Sequence, residues 1–281
     1  MSEGKVQANG VEIWNETFGQ LADPRVLLIR GAGEQGTAWR SQFCQRLVAA
    51  GRHVIRFDNR DVGLSQWFAD DEPYTLDDMA DDTVGLLDAL EIDRAHVVGI
   101  SMGGMIGQIL AIRHPERVLT LTSMLSSPCS LSDPSFEPPD PQVMEVIEQL
   151  LGAETPRSRE EKIEQRMQLW RALAGTRYSF DEEWWRSQAA EGVDRAWRPE
   201  ATPHHMAAIE GVPSRVEALR NVGVPTLVIH GTADPIITYS RGVATAEAIP
   251  GARLLTIDGL GHELPPGCWD EVIGAILDHT G

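Results

Sequence analysis

The chain has 281 residues, 42% of them hydrophobic and 23% charged, which is enough to bury a sizeable core and unlike the composition of a disordered chain. Its formal charge of −18, from 24 Lys and Arg against 42 Asp and Glu, argues against a nucleic-acid partner, which needs basic residues gathered on one face. Three widely spaced cysteines (Cys44, Cys129 and Cys268) indicate neither a disulfide framework nor a zinc site, and no apolar run approaches the roughly 18 residues of a membrane span.

Residues Met1 to Lys5 lack a basic region followed by an apolar stretch, so a cytoplasmic location is expected. Val6 to Ala8 and Val11 to Trp14 flank Asn9-Gly10, the dipeptide that supplies the two positive-φ positions of a tight hairpin turn. Short apolar runs follow at Val26 to Ile29, His53 to Phe57, His96 to Ile100, Leu119 to Leu125, Thr226 to Ile229 and Leu254 to Ile257. They are too uniformly apolar for half-exposed strands and suit a parallel sheet buried on both faces. Helical patterns at Ala38 to Ala50, Leu76 to Leu90 and Met102 to Arg113 alternate with them, as right-handed crossovers require. The acidic pairs Asp70-Asp71, Asp77-Asp78 and Asp81-Asp82 read as a solvated face. Between about Pro128 and Arg220 the alternation stops. A proline-rich entry leads into helical segments near Met144 to Leu151, Glu160 to Leu173 and Asp181 to Ala190. The expected organisation is an α/β core made of residues 1–127 and 221–281, interrupted by a helical cap over 128–220.

Gly99-Ile100-Ser101-Met102-Gly103 places a serine at a strand-to-helix junction within a Gly-x-Ser-x-Gly elbow. So sharp a turn strains the serine and brings the flanking positions together, so both must be small. A serine alcohol needs a base held in one tautomer by a third group. Of the eight histidines only His262 sits in a glycine-rich loop, Asp258 to His262, after the last apolar run. Asp234, past the run Thr226 to Ile229, completes the order Ser, Asp, His, and Asp258 is its rival for the acid. The amides of Met102 and Ala32 are the expected oxyanion donors. Arg30 beside them is a candidate substrate contact, the alternative being an ion pair with Glu34 or Asp58. Adjacent Trp184 and Trp185 point about 100° apart on a helix, so at least one is expected to face the cleft above Ser101.

A competing class rests on Gly31-Ala32-Gly33-Glu34-Gln35-Gly36, a literal Gly-x-Gly-x-x-Gly followed by Asp58 after the next strand. That is the form of a dinucleotide-binding oxidoreductase, but it would leave Ser101, Asp234 and His262 unexplained.

With these motifs, and with Val11 to Trp14, His53 to Arg56, Asp93 to Gly99, Val224 to Ile229 and Asp234-Pro235-Ile236, the sequence resembles the α/β-hydrolase superfamily. Within it the closest likeness is to the aclacinomycin methylesterase-like bacterial esterases. The resemblance implies an α/β-hydrolase fold and cofactor-free hydrolysis of a carboxylic ester, with a methyl ester on a polycyclic polyketide as one candidate. Lactonase, thioesterase, carbon-carbon hydrolase and perhydrolase reactions stay open, whereas branches with Asp at the elbow are excluded by Ser101. The expected partner is a small-molecule ester, with no nucleic acid, membrane or metal, and a homo-oligomer is left open.

Overall fold

A computed structural model describes residues 2–152, 156 and 158–281, so residues 153–155 and 157 of the expected cap lie outside the described residues. Strands β1 (Ser2–Ala8) and β2 (Val11–Phe18) form the expected antiparallel hairpin. Asn9 and Gly10 turn it with φ of 51° and 78°, the backbone sign that such a turn demands. Then come β3 (Arg25–Ile29), β4 (His53–Phe57), β5 (Ala95–Ile100), β6 (Val118–Met124), β7 (Thr226–Gly231) and β8 (Arg253–Ile257). Together they form one eight-stranded sheet in the order β1-β2-β4-β3-β5-β6-β7-β8, parallel except for the pairs β1–β2 and β2–β4.

Strands β3 to β7 are buried almost throughout, which accounts for their unbroken Val, Ile and Leu runs. β8 departs from that expectation. It closes the sheet with one neighbour, so Arg253 and Thr256 are exposed and Leu254 and Leu255 are only half-buried. Helices α1 (Ser41–Ala49) and α10 (Trp269–Thr280) pack on one face, burying Phe43, Leu47, Val272 and Ile276 against Val26, Leu28 and Val98. Helices α2 (Leu76–Ala89) and α3 (Met102–Arg113) cover the other face, with Leu86, Met105 and Ile109 against Leu27, Ile29 and Val97. The sequence places α3 to the residue, whereas the helix expected over Ala38 to Ala50 begins only at Ser41, after a separate short 3₁₀ turn, Gly36–Ala38. α9 (Tyr239–Ala248) follows β7.

Helices α4 (Pro141–Gly152), α5 (Arg159–Leu173), α6 (Glu182–Arg195), α7 (Ala201–Glu210) and α8 (Val216–Leu219) all lie between β6 and β7. Ile163, Met167, Trp185 and Ala189 give α5 and α6 a small hydrophobic cluster of their own. One acidic pair is not a solvated face: Asp82 is buried in a bidentate pair with Arg60, at 2.6 and 2.7 Å. Asp78 closes a capping box with Thr75 at the start of α2. All three cysteines are free and buried. Among the described residues no helix is long and apolar enough to cross a membrane.

Candidate active site

Ser101 stands between β5 and α3 with φ 57° and ψ −123°, a left-handed conformation that a non-glycine residue adopts only when its surroundings enforce it. Enforcement comes from four hydrogen bonds. Its amide donates to Met124 O at 2.9 Å, and its carbonyl accepts from Gly104 N, Met105 N and Ser126 Oγ at 2.9, 3.2 and 2.8 Å. The flanking glycines are steric necessities: a Cβ on Gly99 would lie 2.1 Å from Gly103 O, and one on Gly103 would lie 2.3 Å from Ile29 O. Gly99→Ala should therefore destabilise the fold by at least about 3 kcal/mol, as backbone overpacking does, measured by chemical denaturation. A transition unchanged from the parent would refute this account of the elbow.

Met102 opens α3, so its amide is one of those a helix leaves unpaired at its N-terminus, where the dipole favours negative charge. The loop after β3 runs against Ser101: a Cβ built on Gly31 would meet Ser101 Cβ at 3.1 Å and Oγ at 3.5 Å. Ala32 follows in that loop and, with Ser101 and His262, lines the main cavity.

Asp234 and His262 come from the loops after β7 and β8. His262 Nδ1 donates to Asp234 Oδ2 at 2.8 Å, which fixes the tautomer and leaves Nε2 as the acceptor. Asp234 Oδ1 accepts the amides of Ile236 and Ile237 at 3.1 and 2.9 Å. Buried His230 sits beneath, its Nε2 donating to Ile237 O at 2.8 Å and lying 3.5 Å from Asp234 Oδ2. Burial alone would favour a neutral carboxyl, but His262, and hydrogen bonds from His230 and His262, outweigh it and hold Asp234 down to about 2. Asp234 is thus a carboxylate at neutral pH. Asp258, its rival, is exposed and accepts from Thr232 Oγ1 at 2.9 Å, whereas the bond to His262 Nδ1 is made by Asp234.

The His262 loop is held by main chain from the segment after α5. His262 N donates to Leu173 O at 2.8 Å, and Thr176 N and Arg177 N donate to Gly259 O at 2.8 and 3.0 Å. Buried Glu263, whose carboxyl is pushed up by burial, accepts Gly175 N at 3.0 Å. The two segments touch backbone to backbone, since a Cβ on Gly261 would lie 2.3 Å from Gly175 N.

In the Gly-x-Gly-x-x-Gly loop the amides of the second and third glycines, which a phosphate would need, are already taken. Gly33 N donates to His205 Nδ1 at 3.0 Å and Gly36 N to Asp58 Oδ1 at 2.7 Å. Burial lowers His205 to about 4, so it stays neutral and accepts at Nδ1. Asp58 Oδ2 is occupied by Leu64 N and Arg195 Nη1, both at 2.8 Å, leaving nothing for a ribose. These contacts remove the dinucleotide alternative.

Above Ser101 opens a cavity of about 380 Å³, walled largely by apolar side chains including Met144, Ile147, Leu169, Trp170, Met206 and Ile209. Trp185 lines it, whereas Trp184 does not; Trp184 packs edge-on against Trp185 and Trp269. Trp197 and Arg166 also line the cavity and were not singled out by the sequence as its walls. For Arg166 a signal existed, since it lies one helical turn before Trp170 and so shares its face. Arg30 reaches the cavity wall, but its Nη2 pairs with Glu34 at 2.5 Å, and its guanidinium lies 5.4 Å from the centre of the Trp39 ring. That is the ion-pair alternative rather than an unattached cation. Glu34 also accepts from Trp170 Nε1 at 3.2 Å.

Residues 24–265 match the model of the alpha/beta hydrolase fold family. The chain belongs to that family. It is 35% identical to rhodomycin D methylesterase DauP of Streptomyces sp. (strain C5) over 96% of this chain and 95% of that protein. To rhodomycin D methylesterase DnrP of Streptomyces peucetius it is 36% identical, again over 96% of this chain and 95% of the relative. Among solved structures, the enol-lactonase from Burkholderia xenovorans LB400 superposes with a TM-score of 0.79 at 24% identity, covering 98% of this chain and 99% of that one. At that identity the likeness speaks for the fold alone.

Proposed function

We propose that the chain hydrolyses carboxylic esters through Ser101, His262 and Asp234, and that its substrates are methyl esters on bulky, mostly apolar acids. The observation that carries the reading is the 2.8 Å Asp234–His262 pair converging with the strained Ser101 turn on one apolar cavity. The likeness to two rhodomycin D methylesterases supports the methyl ester.

In this reading Ser101 Oγ attacks the ester carbonyl while His262 Nε2 takes its proton, and Asp234 stabilises the imidazolium that forms. The developing oxyanion is held by the amides of Met102 and Ala32, each of which is worth roughly 100- to 1,000-fold in rate. His262 then protonates the departing methanol. Water attacks the acyl-enzyme by the same route in reverse, releasing the acid and restoring Ser101.

An apolar cavity of this size rewards acyl groups that displace water from it. Across methyl esters from acetate to a polycyclic aromatic acid, kcat/KM should rise by about tenfold per 55 Å² of apolar surface buried, at roughly 25 cal/mol per Å². Steady-state kinetics on such a series checks this, and a steep preference for acetate would overturn the bulky-acid assignment.

A further inference from the structure

The Ala32 amide, the second oxyanion donor of the proposed reaction, sits in a turn that does not hold itself. Glu34 N returns to Gly31 O at 3.3 Å, longer than an ordinary N–H···O bond, which makes Ala32 and Gly33 the central pair of a β-turn. Gly33 has a φ of 66° while that of Ala32 is not positive, the pattern of a type II turn. The carbonyl and N–H of one trans peptide point opposite ways, so with Gly31 O turned in towards Glu34 the Ala32 N–H is turned out. Among the described residues that N–H has no hydrogen-bond acceptor. Type I and type II turns differ by a flip of the central peptide, and glycine at the second central position permits either, so contacts from outside the turn make the choice.

Those contacts come from the helices between β6 and β7. Gly33 N, the N–H of the central peptide, donates to His205 Nδ1 of α7 at 3.0 Å, and Arg166 of α5 donates to Gly33 O at 3.3 Å. His205 is fully buried and fixed from behind: its Nε2 donates to Arg60 O at 3.0 Å, and Arg60 is itself clamped by Asp82. With its single proton on Nε2, neutral His205 offers Nδ1 as a bare acceptor. α7 leaves the turn little room, since a Cβ on Gly33 would lie 2.1 Å from Thr202 Oγ1. We propose that His205 is a positioning residue for ester hydrolysis, which locks the central peptide of the 31–34 turn and so aims the Ala32 N–H at the developing oxyanion. The inference rests on the ester-hydrolase reading and adds to it what sets the second donor. As Ser101 Oγ bonds to the ester carbon and its proton passes to His262, the carbonyl electron pair shifts onto oxygen, and the Met102 and Ala32 amides take up that charge. His205 touches no reacting atom. A flipped central peptide would tilt the peptide before it, and with it the Ala32 N–H, in the transition state, where its direction counts.

Two substitutions separate the two bonds of His205. His205→Gln reaches the Nε2 position and can donate to Arg60 O, but it leaves Gly33 N without its acceptor. His205→Asn puts an oxygen at the Nδ1 position, keeping the Gly33 bond and giving up the one to Arg60. Each leaves one backbone group unpaired, so a purely structural role demands similar losses for both. On p-nitrophenyl acetate, kcat of His205→Gln is expected to fall about 30-fold, short of the roughly 100- to 1,000-fold for outright loss of a donor, with KM changed by less than about twofold. Affinity for a phenyl trifluoromethyl ketone, whose adduct with Ser101 carries the oxyanion, should fall by the same factor as kcat/KM. The conservative His205→Asn should recover most of both losses. Equal losses in the two variants, no loss in His205→Gln, a loss carried in KM, or an inhibitor affinity that stays parental while kcat falls overturns the positioning role and leaves the hydrolase reading intact. If His205→Gln does not fold, His205→Asn decides alone: kcat and inhibitor affinity within about threefold of the parent support the role, and a larger fall overturns it. A parent enzyme that neither turns over the ester nor binds the ketone would instead overturn the hydrolase reading, and the role with it.

Discussion

Ser101→Ala is expected to lower kcat by about 10⁵- to 10⁶-fold on any ester, because removing the nucleophile leaves only binding and the oxyanion donors. Alanine should hold the same backbone, since the left-handed conformation is imposed by bonds to Met124, Gly104, Met105 and Ser126 that involve only main-chain atoms of residue 101. A thermal melt within a few degrees of the parent would show that lost activity is not lost fold. Fluorophosphonate labelling of the parent at Ser101, absent in the variant, gives the covalent half of the test. If the variant still hydrolyses p-nitrophenyl acetate at the parental rate, Ser101 is not the nucleophile.

The second large effect is expected at Asp234→Asn, about 10⁴-fold in kcat. An asparagine can still accept the Ile236 and Ile237 amides through its oxygen, so the loop keeps its shape. Its nitrogen then faces His262 Nδ1, which must turn acceptor, and the proton moves to Nε2, where Ser101 needs a base. Asp258→Asn should cost less than twofold, since an exposed carboxylate on Thr232 Oγ1 is replaced by an amide that can still accept that bond. The comparison is a ranking of two isosteric changes in adjacent loops by steady-state kinetics. Inverting it would transfer the acid's role from Asp234 to Asp258.

The parts of this molecule readable in its sequence are those set by local chemistry. Asn9-Gly10 dictates its turn through two residues tolerant of positive φ, and Gly99 and Gly103 dictate the elbow by having no Cβ to clash. Asp234 and His262 could be picked out as a pair because each lies in the loop after one of the last two strands, and the structure joins them at 2.8 Å. What escaped depends on partners distant in the chain. Asp82 looked solvated among its acidic neighbours, yet Arg60 draws it inside. α9, Tyr-Ser-Arg-Gly-Val-Ala-Thr-Ala-Glu-Ala, carries little large apolar surface, and its buried arginine bonds to carbonyls more than 100 positions away. α7 holds Pro203 in its first turn, where proline is tolerated, and two histidines, so its composition resembles a loop. The cavity wall was legible only as a set of apolar residues. Which tryptophan faces Ser101 depends on how α6 lies against α5 and α10, a packing choice that helical spacing does not encode: Trp185 meets Trp170 while Trp184 meets Trp269.

The contact between Leu173–Arg177 and the His262 loop limits how the protein can be re-engineered. Helices between β6 and β7 look like an interchangeable module on a constant scaffold, and exchanging them is the natural way to alter specificity. Here three main-chain bonds, a fourth from the Gly175 amide to the Glu263 carboxylate, and a glycine-on-glycine approach weld the segment ending α5 to residues 259–263. A chimera that imports foreign helices and severs that weld would inherit a new cavity wall and a displaced His262 together. The workable cut lies after Leu169 and before Leu173, so that the host retains residues 173–177 and the donor contributes the wall above them.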